Sequence, residues 1–260
     1  MNDCWASVLG DCSGPLSGEH VVTASWYGVK SVTVSGMPWC RDSPKTVGVA
    51  SLKAKILCSG HNSRLSPVDT AGKHACETLD SCMDLGRRRN AGSTEVWPIT
   101  RFPVDGPLFE RWLVKTVINL LVARDLSVVN GAVVLESPPE RLVRVAFGLE
   151  TMPVPTGVYV AFRSDEAIGP KDNITIGILA DPNVGLLAIL FSIQGFRFLL
   201  WLGLQPPPAS LELPGIMEIE WQLSHLRRHL AQLAWNVNGK LSHFIDFGWP
   251  DQPMTDQTSL

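Results

Sequence analysis

All six cysteines of this 260-residue chain, Cys4, Cys12, Cys40, Cys58, Cys76 and Cys82, fall within its first 82 residues. From Cys4 to about Thr70 the chain is rich in Gly, Ser and Cys, with one strand-like stretch, Ser31–Ser35, and an apolar approach to Cys58 through Ile56-Leu57. So small and polar a segment buries too little surface to hold itself together, and a bound metal is a common remedy. The opening Met1-Asn2-Asp3-Cys4 lacks the basic start and apolar run of a secretory signal, so a cytoplasmic location is expected. Thiols stay reduced there, and metal ligation or simple burial accounts for the cysteines better than disulfides do.

Apolar residues make up 45% of the chain and charged residues 18%, enough apolar surface to offset the entropy of ordering it. A length of 260 residues accommodates two ordinary domains, with residues 1–90 and 91–260 as the expected division. Net charge is −3, which gives no overall basic signature of nucleic-acid binding. The balance is uneven: residues 1–90 hold ten Lys/Arg against eight Asp/Glu, whereas the remainder holds twelve against seventeen, so contact with a polyanion is expected in the first part.

Residues 76–95 read as a short helix followed by a basic, polar linker, Arg87 to Ser93. Apolar residues at helical spacing, Leu108, Trp112, Val117, Leu120 and Leu121, predict a helix over Pro107–Ala123. Segments 131–135, 142–149, 157–163, 174–180, 187–193 and 196–203 read as strands separated by Pro- and Gly-containing turns, and 216–235 as an amphipathic helix. The predicted class is α+β: a small metal-stapled module followed by a mainly antiparallel sheet with flanking helices. Val184–Leu204 has the length of a membrane span, but Ser192, Gln194 and Arg197 interrupt it. Two period-two runs around Gln194-Gly195 predict a buried hairpin instead, and no membrane association.

Four soft ligands stand in suggestive places. Cys4 and Cys12 precede Glu19-His20, and Cys58 and His61 follow as Cys-x-x-His. Two such pairs would close a tetrahedral zinc site with no open position. The second pair has knuckle spacing; the first has seven residues between its cysteines, and Cys40 could replace either member. The plainer alternative is that these thiols are small buried hydrophobes. Glu19-His20 enters a β-branched run, Val21-Val22. A neutral imidazole can take a proton from water near pH 7, and an adjacent carboxylate can hold a divalent cation.

The order Cys4, Cys12, Glu19-His20, then Leu57-Cys58-x-x-His61-Asn62-x-x-Leu65-Ser66-Pro67 resembles the zinc-containing branch of the HNH (ββα-metal) endonuclease family over about a quarter of the chain. The resemblance implies a zinc-stapled ββα, treble-clef-like module. It makes His20 the general base, Glu19 and Asn62 holders of a catalytic Mg²⁺ or Mn²⁺, and Cys4, Cys12, Cys58 and His61 the ligands of a structural Zn²⁺. The family's middle Asn, which orients the base, has no counterpart: no Asn lies between Asn2 and Asn62, and Ala50 and Ser51 occupy that neighbourhood. Lys45, Lys53, Lys55 and Arg64 are candidates for holding a nucleic-acid backbone, each with the alternative of an ordinary solvated side chain.

Other features carry less. His225 and His229 lie four apart without the Glu of a zinc-peptidase helix, and read as a surface or interface pair. His74, Cys76 and Cys82 lack a fourth ligand for a second metal. His243 and Asp246, near Trp249, read as part of a C-terminal core. Two functional classes remain: a metal-dependent endonuclease acting on nucleic acid, DNA in preference to RNA, or a noncatalytic zinc-stabilised regulatory protein that binds nucleic acid or protein. In either, the second half could mediate a homo-oligomer or a protein partner.

Overall fold

The computed structural model describes residues 4–23, 30–34, 43, 45–91, 100–124, 128–129, 132–133, 137–162, 176–181, 185–208, 210–213, 216–220, 222–226, 232–237 and 240–250. The first part contributes β1 (Leu16–His20), β2 (Ser31–Val34), β3 (Lys45–Gly48), β4 (Lys53–Cys58) and the helix α1 (Ser59–Ala91). Then come β5 (Thr100–Asp105), α2 (Gly106–Arg124), β6 (Val128–Val129), β7 (Ala132–Val133) and α3 (Glu140–Ala146). The remainder is strand: β8 (Gly157–Phe162), β9 (Ile176–Asp181), β10 (Gly185–Ile193), β11 (Phe196–Trp201), β12 (Ser210–Leu213), β13 (Ile216–Glu220), β14 (Gln222–His225), β15 (Gln232–Val237) and β16 (Lys240–Gly248). The fold is mixed α+β.

The central element is α2. From Phe109 to Leu121 every residue of α2 except Arg111 is buried, the polar Glu110, Lys115, Thr116 and Asn119 included, which places the helix inside the protein. Its neighbour α1 buries one stripe, Leu65, Val68, Ala75, Cys76, Leu79, Cys82 and Met83, at the i, i+3, i+4 spacing of a helix packed on one side. The two helices meet closely at Gly72, where an added Cβ would stand 2.4 Å from the Trp112 ring. Only glycine fits there. Pro67 lies inside α1 and denies it one backbone hydrogen bond; burial of the flanking Leu65 and Val68 keeps the helix continuous across it.

The largest sheet has the order β14-β8-β11-β10-β9, antiparallel throughout. The β10–β11 hairpin turns on Gln194 (φ 51°) and Gly195 (φ 84°), the two left-handed residues that a two-residue hairpin of type I′ requires. A three-stranded sheet, β15-β16-β5, contains one parallel pairing, β16 with β5. Phe109 of α2 joins the two sheets, its ring 4.9 Å from Phe198 on β11 and 5.5 Å from Phe247 on β16. One continuous apolar core includes Cys4, Leu57, Leu79, Trp112, Phe147, Phe198 and Trp249, so residues on both sides of position 91 share it.

Three expectations need correction. The segment 142–149 is not a strand: Leu142, Val143, Val145 and Ala146 are buried on the single face of α3, whose start follows Pro138-Pro139. The predicted helix 216–235 is replaced by β13, β14 and β15. Its residues Ile219, Trp221, Leu223 and His225 alternate with Glu218, Glu220, Gln222 and Ser224, a period of two that outweighs the scattered helical matches. Lastly, α1 is continuous from Ser59 to Ala91 and includes most of the basic run expected as a linker; Arg89 is buried there and bonds Thr100 Oγ1 at 2.9 Å. No helix among the described residues is long and apolar enough to cross a membrane, and Val184–Leu204 contains the β10–β11 hairpin.

Candidate functional site

The segment Cys4–Asp11 is held against β4 by the Trp5 amide, which donates to the Ile56 carbonyl at 3.0 Å, and turns through a single 3₁₀ turn, Ser7–Leu9. The following loop meets the start of α1. Ser13 and Pro15 carbonyls accept from the Gly60 and Ser59 amides at 3.0 and 2.8 Å, satisfying donors that a helix N-terminus leaves open. Gly14 (φ 71°) is packed against Ser59, and a Cβ there would stand 2.1 Å from its hydroxyl. These constraints bring the loop cysteines over the Cys58-x-x-His61 turn.

Cys4, Cys12, Cys58 and His61 each offer one ligand atom, all within 4.8 Å of one another. His61 Nδ1 lies 3.4, 3.7 and 3.2 Å from the sulfurs of Cys4, Cys12 and Cys58. A tetrahedral zinc ion with bonds of about 2.3 Å to sulfur and 2.0–2.1 Å to nitrogen sets S···N edges near ~3.6 Å. The four residues therefore fit one ion. The amides of Cys58 and His61 donate to Cys4 Sγ (3.4 Å) and Cys58 Sγ (3.5 Å). Burial and the adjoining Cys4 thiol push Cys12 up to about 12, whereas at Cys58 burial is outweighed by the backbone amides of His61 and Ser13, which bring it down to about 7. A divalent cation would relieve the crowding of the three sulfurs.

Around this set is a supporting layer. His61 Nε2 donates to Asp11 Oδ1 at 2.6 Å; that bond assigns the proton to Nε2 and leaves Nδ1 as the ligand nitrogen. The His61 bond, and after it Arg64, hold the exposed Asp11 carboxyl below its usual range. Phe147, just past α3, packs edge-on against His61 (5.3 Å) and Trp5 (5.8 Å), and the Arg64 guanidinium lies 4.9 Å over its ring. Arg64 is thus committed to Asp11 and Phe147.

β1 and β4 form an antiparallel pair beside this centre, with Glu19 opposite Ala54 and His20 opposite Lys53. Adjacent strand residues leave opposite faces. His20 is half-buried at the end of β1, and no side chain among the described residues hydrogen-bonds its imidazole. Burial, and then the Lys53 ammonium, lower its pKa from the ordinary 6.5, so the ring is neutral at pH 7. Lys53 and Lys55 are exposed and share one face of β4.

Glu19 is buried and faces the helices. Its Oε1 lies 2.7 Å from Lys115 Nζ, which also contacts both oxygens of Asp69 at 2.5 and 2.6 Å. Burial raises the Glu19 pKa more than Lys115 lowers it. Asn119 Nδ2 donates to Glu19 Oε1 (3.4 Å) and to the His20 carbonyl (3.1 Å), while its Oδ1 accepts from Trp5 Nε1 (3.0 Å). Asn62 Nδ2 instead donates to Ser17 Oγ at 3.0 Å. Glu19 and Asn62 are thus each engaged by a different side chain, Glu19 by Lys115 and Asn62 by Ser17.

The remaining candidates separate. Burial pushes the thiols of Cys76 and Cys82 up to about 12, in keeping with core residues, and His74 is exposed on α1. His225 is buried, with its Nε2 3.1 Å from the Thr156 carbonyl; Asp246 is buried and paired with Arg101 at 3.1 Å. Cys40 and His229 lie outside the described residues. Asp11, Asp69, Lys115, Asn119 and Phe147 were not singled out in the sequence. Lys115 and Asn119 did leave a signal, as a charged and an amide side chain at i and i+4 inside the mainly apolar run Trp112–Ala123. Comparison with protein-family models, curated proteins and solved structures gives no match.

Proposed function

We propose that this chain is an HNH-type endonuclease that hydrolyses nucleic-acid phosphodiester bonds, with Zn²⁺ on Cys4, Cys12, Cys58 and His61 as a structural staple and His20 as general base. The observation that supports it is the juxtaposition of the four-ligand cluster with the β1–β4 pair and α1, which leaves a neutral His20 beside the exposed Lys53 and Lys55. Cys4, Cys12, Cys58 and His61 would fill all four positions of a bound zinc ion, which would serve to hold the loop to the helix. His20 removes a proton from water as the water oxygen forms its bond to phosphorus in line with the P–O3′ bond, which breaks; the 3′ oxygen leaves and takes a proton from solvent, giving a 3′ hydroxyl and a 5′ phosphate. Lys53 and Lys55 supply positive charge for the phosphate backbone, a contact that fixes position but does not read sequence. DNA is the preferred substrate class. A Mg²⁺ or Mn²⁺ held by Glu19 and Asn62 would have to compete with Lys115 for the Glu19 carboxylate, whereas Asn62 bonds Ser17 through Nδ2, not through the oxygen that would ligate the ion.

The test is nicking of supercoiled plasmid by zinc-loaded protein with and without added Mg²⁺ or Mn²⁺, beside a His20→Ala variant. Cleavage by the wild type that falls at least a hundredfold in the variant supports this reading; no cleavage with any metal, or equal cleavage by both proteins, overturns it. The Glu19–Lys115 pair favours a second reading, in which the module is a noncatalytic zinc-stabilised binding platform for nucleic acid or protein. Retention of a DNA duplex by both wild type and His20→Ala, without cleavage, would support that alternative.

A further inference from the structure

We infer that Asn119, on α2 and outside the zinc and strand motif, is the positioning residue for the His20 base; the inference rests on the nuclease reading above. His20 ends β1, so the next peptide is held only partly by strand pairing: the Val21 amide donates to the Leu52 carbonyl at 2.9 Å. On its other side, the His20 carbonyl accepts from Asn119 Nδ2 at 3.1 Å. The two bonds grip the peptide that follows His20, fixing its ψ angle and with it the backbone from which the imidazole projects.

The clamp is itself fixed. Asn119 is buried, its amide divides its donors between the His20 carbonyl and Glu19 Oε1, and its oxygen accepts from the Trp5 indole. Trp5 follows the metal-ligating Cys4 in sequence, and Glu19 precedes His20. One side chain therefore ties the knuckle, the carboxylate and the base to the central helix. A rigid buried amide of this kind holds a reacting group in place without touching the substrate, and a misplacement of about 1 Å can cost on the order of a hundredfold in rate.

The test compares wild type, Asn119→Leu and Asn119→Gln in plasmid nicking, together with bound zinc per chain and the His20 imidazole titration followed by NMR. Leu keeps a similar volume and removes all three hydrogen bonds; Gln keeps the amide but displaces it. The expected result is a fall in kcat of roughly ten- to a hundredfold for Asn119→Leu, with KM and zinc content nearly unchanged, a smaller fall for Asn119→Gln, and a His20 titration that moves toward 6.5 in the Leu variant. Zinc-replete Asn119→Leu that nicks like the wild type with an unmoved His20 titration overturns the inference and leaves the nuclease reading intact. Equal losses in both variants accompanied by loss of zinc also overturn it, by showing a general structural role. A wild type that does not nick at all removes the nuclease reading itself, and the inference with it.

Discussion

Lys115 Nζ lies 2.7 Å from Glu19 Oε1, so the carboxylate beside the candidate base is neutralised from the central helix of the fold. Both side chains are buried, and Asp69 completes the cluster from α1. Removing one partner of a buried pair leaves an uncompensated charge, which commonly costs about 3–5 kcal/mol. Lys115→Met is expected to destabilise the protein by an amount in that range, tempered by the partial exposure of Asp69, as read from urea denaturation. Combining it with Glu19→Gln should recover much of the loss. A single variant as stable as the wild type would show that the ammonium does not neutralise Glu19 in solution.

Asp11 is bonded to His61, one of the four residues that could hold a metal ion. Its carboxylate accepts from His61 Nε2 and is held in turn by Arg64. Loss of such an outer partner typically weakens metal affinity 10–100-fold. Asp11→Ala should therefore release zinc to a competing chelator at a concentration one to two decades lower than the wild type requires, whereas Lys45→Ala should not change it.

The depressed pKa of His20 gives stability a definite pH dependence. Because the unfolded imidazole takes its proton at about 6.5 and the folded one only at lower pH, the contribution is fully present above 6.5 and is lost as pH falls through the folded value. His20→Ala should flatten the acid side of a stability-versus-pH curve measured by urea midpoint. For the same reason, cleavage should decline only below pH 6.5, with an apparent pKa under the ordinary imidazole value.

Phe147 covers the Cys/His cluster from the second half of the chain. Phe147→Ala removes a largely buried ring, and such truncations cost about 3–5 kcal/mol. A fragment ending at Ala91 would lack both Phe147 and α2, and zinc-loaded it should show no cooperative thermal transition, which calorimetry checks directly.

The Cys58-x-x-His61 pair and the Gln194-Gly195 hairpin were legible because each rests on local chemistry: donor atoms at knuckle spacing, or a turn that demands positive φ. The helix α2 was legible through its apolar period. Segments 142–149 and 216–235 are not decided by sequence because short apolar runs fit both periods, and the decision falls to the surfaces they pack against. The partners of Lys115 and Asn119, and the place of Phe147, were not legible for a different reason. Each reaches the site across more than fifty residues of chain, and no local pattern announces that a lysine or asparagine in an apolar helix will meet Glu19 and His20.

The central claim is that one ion joins the loop of Cys4 and Cys12 to the Cys58-x-x-His61 turn. X-ray absorption at the zinc edge on purified protein measures this most directly. One zinc per chain with three sulfurs at about 2.3 Å and one nitrogen at about 2.0–2.1 Å is the predicted result; a protein that binds no zinc, or binds it through oxygen and nitrogen alone, would contradict the account.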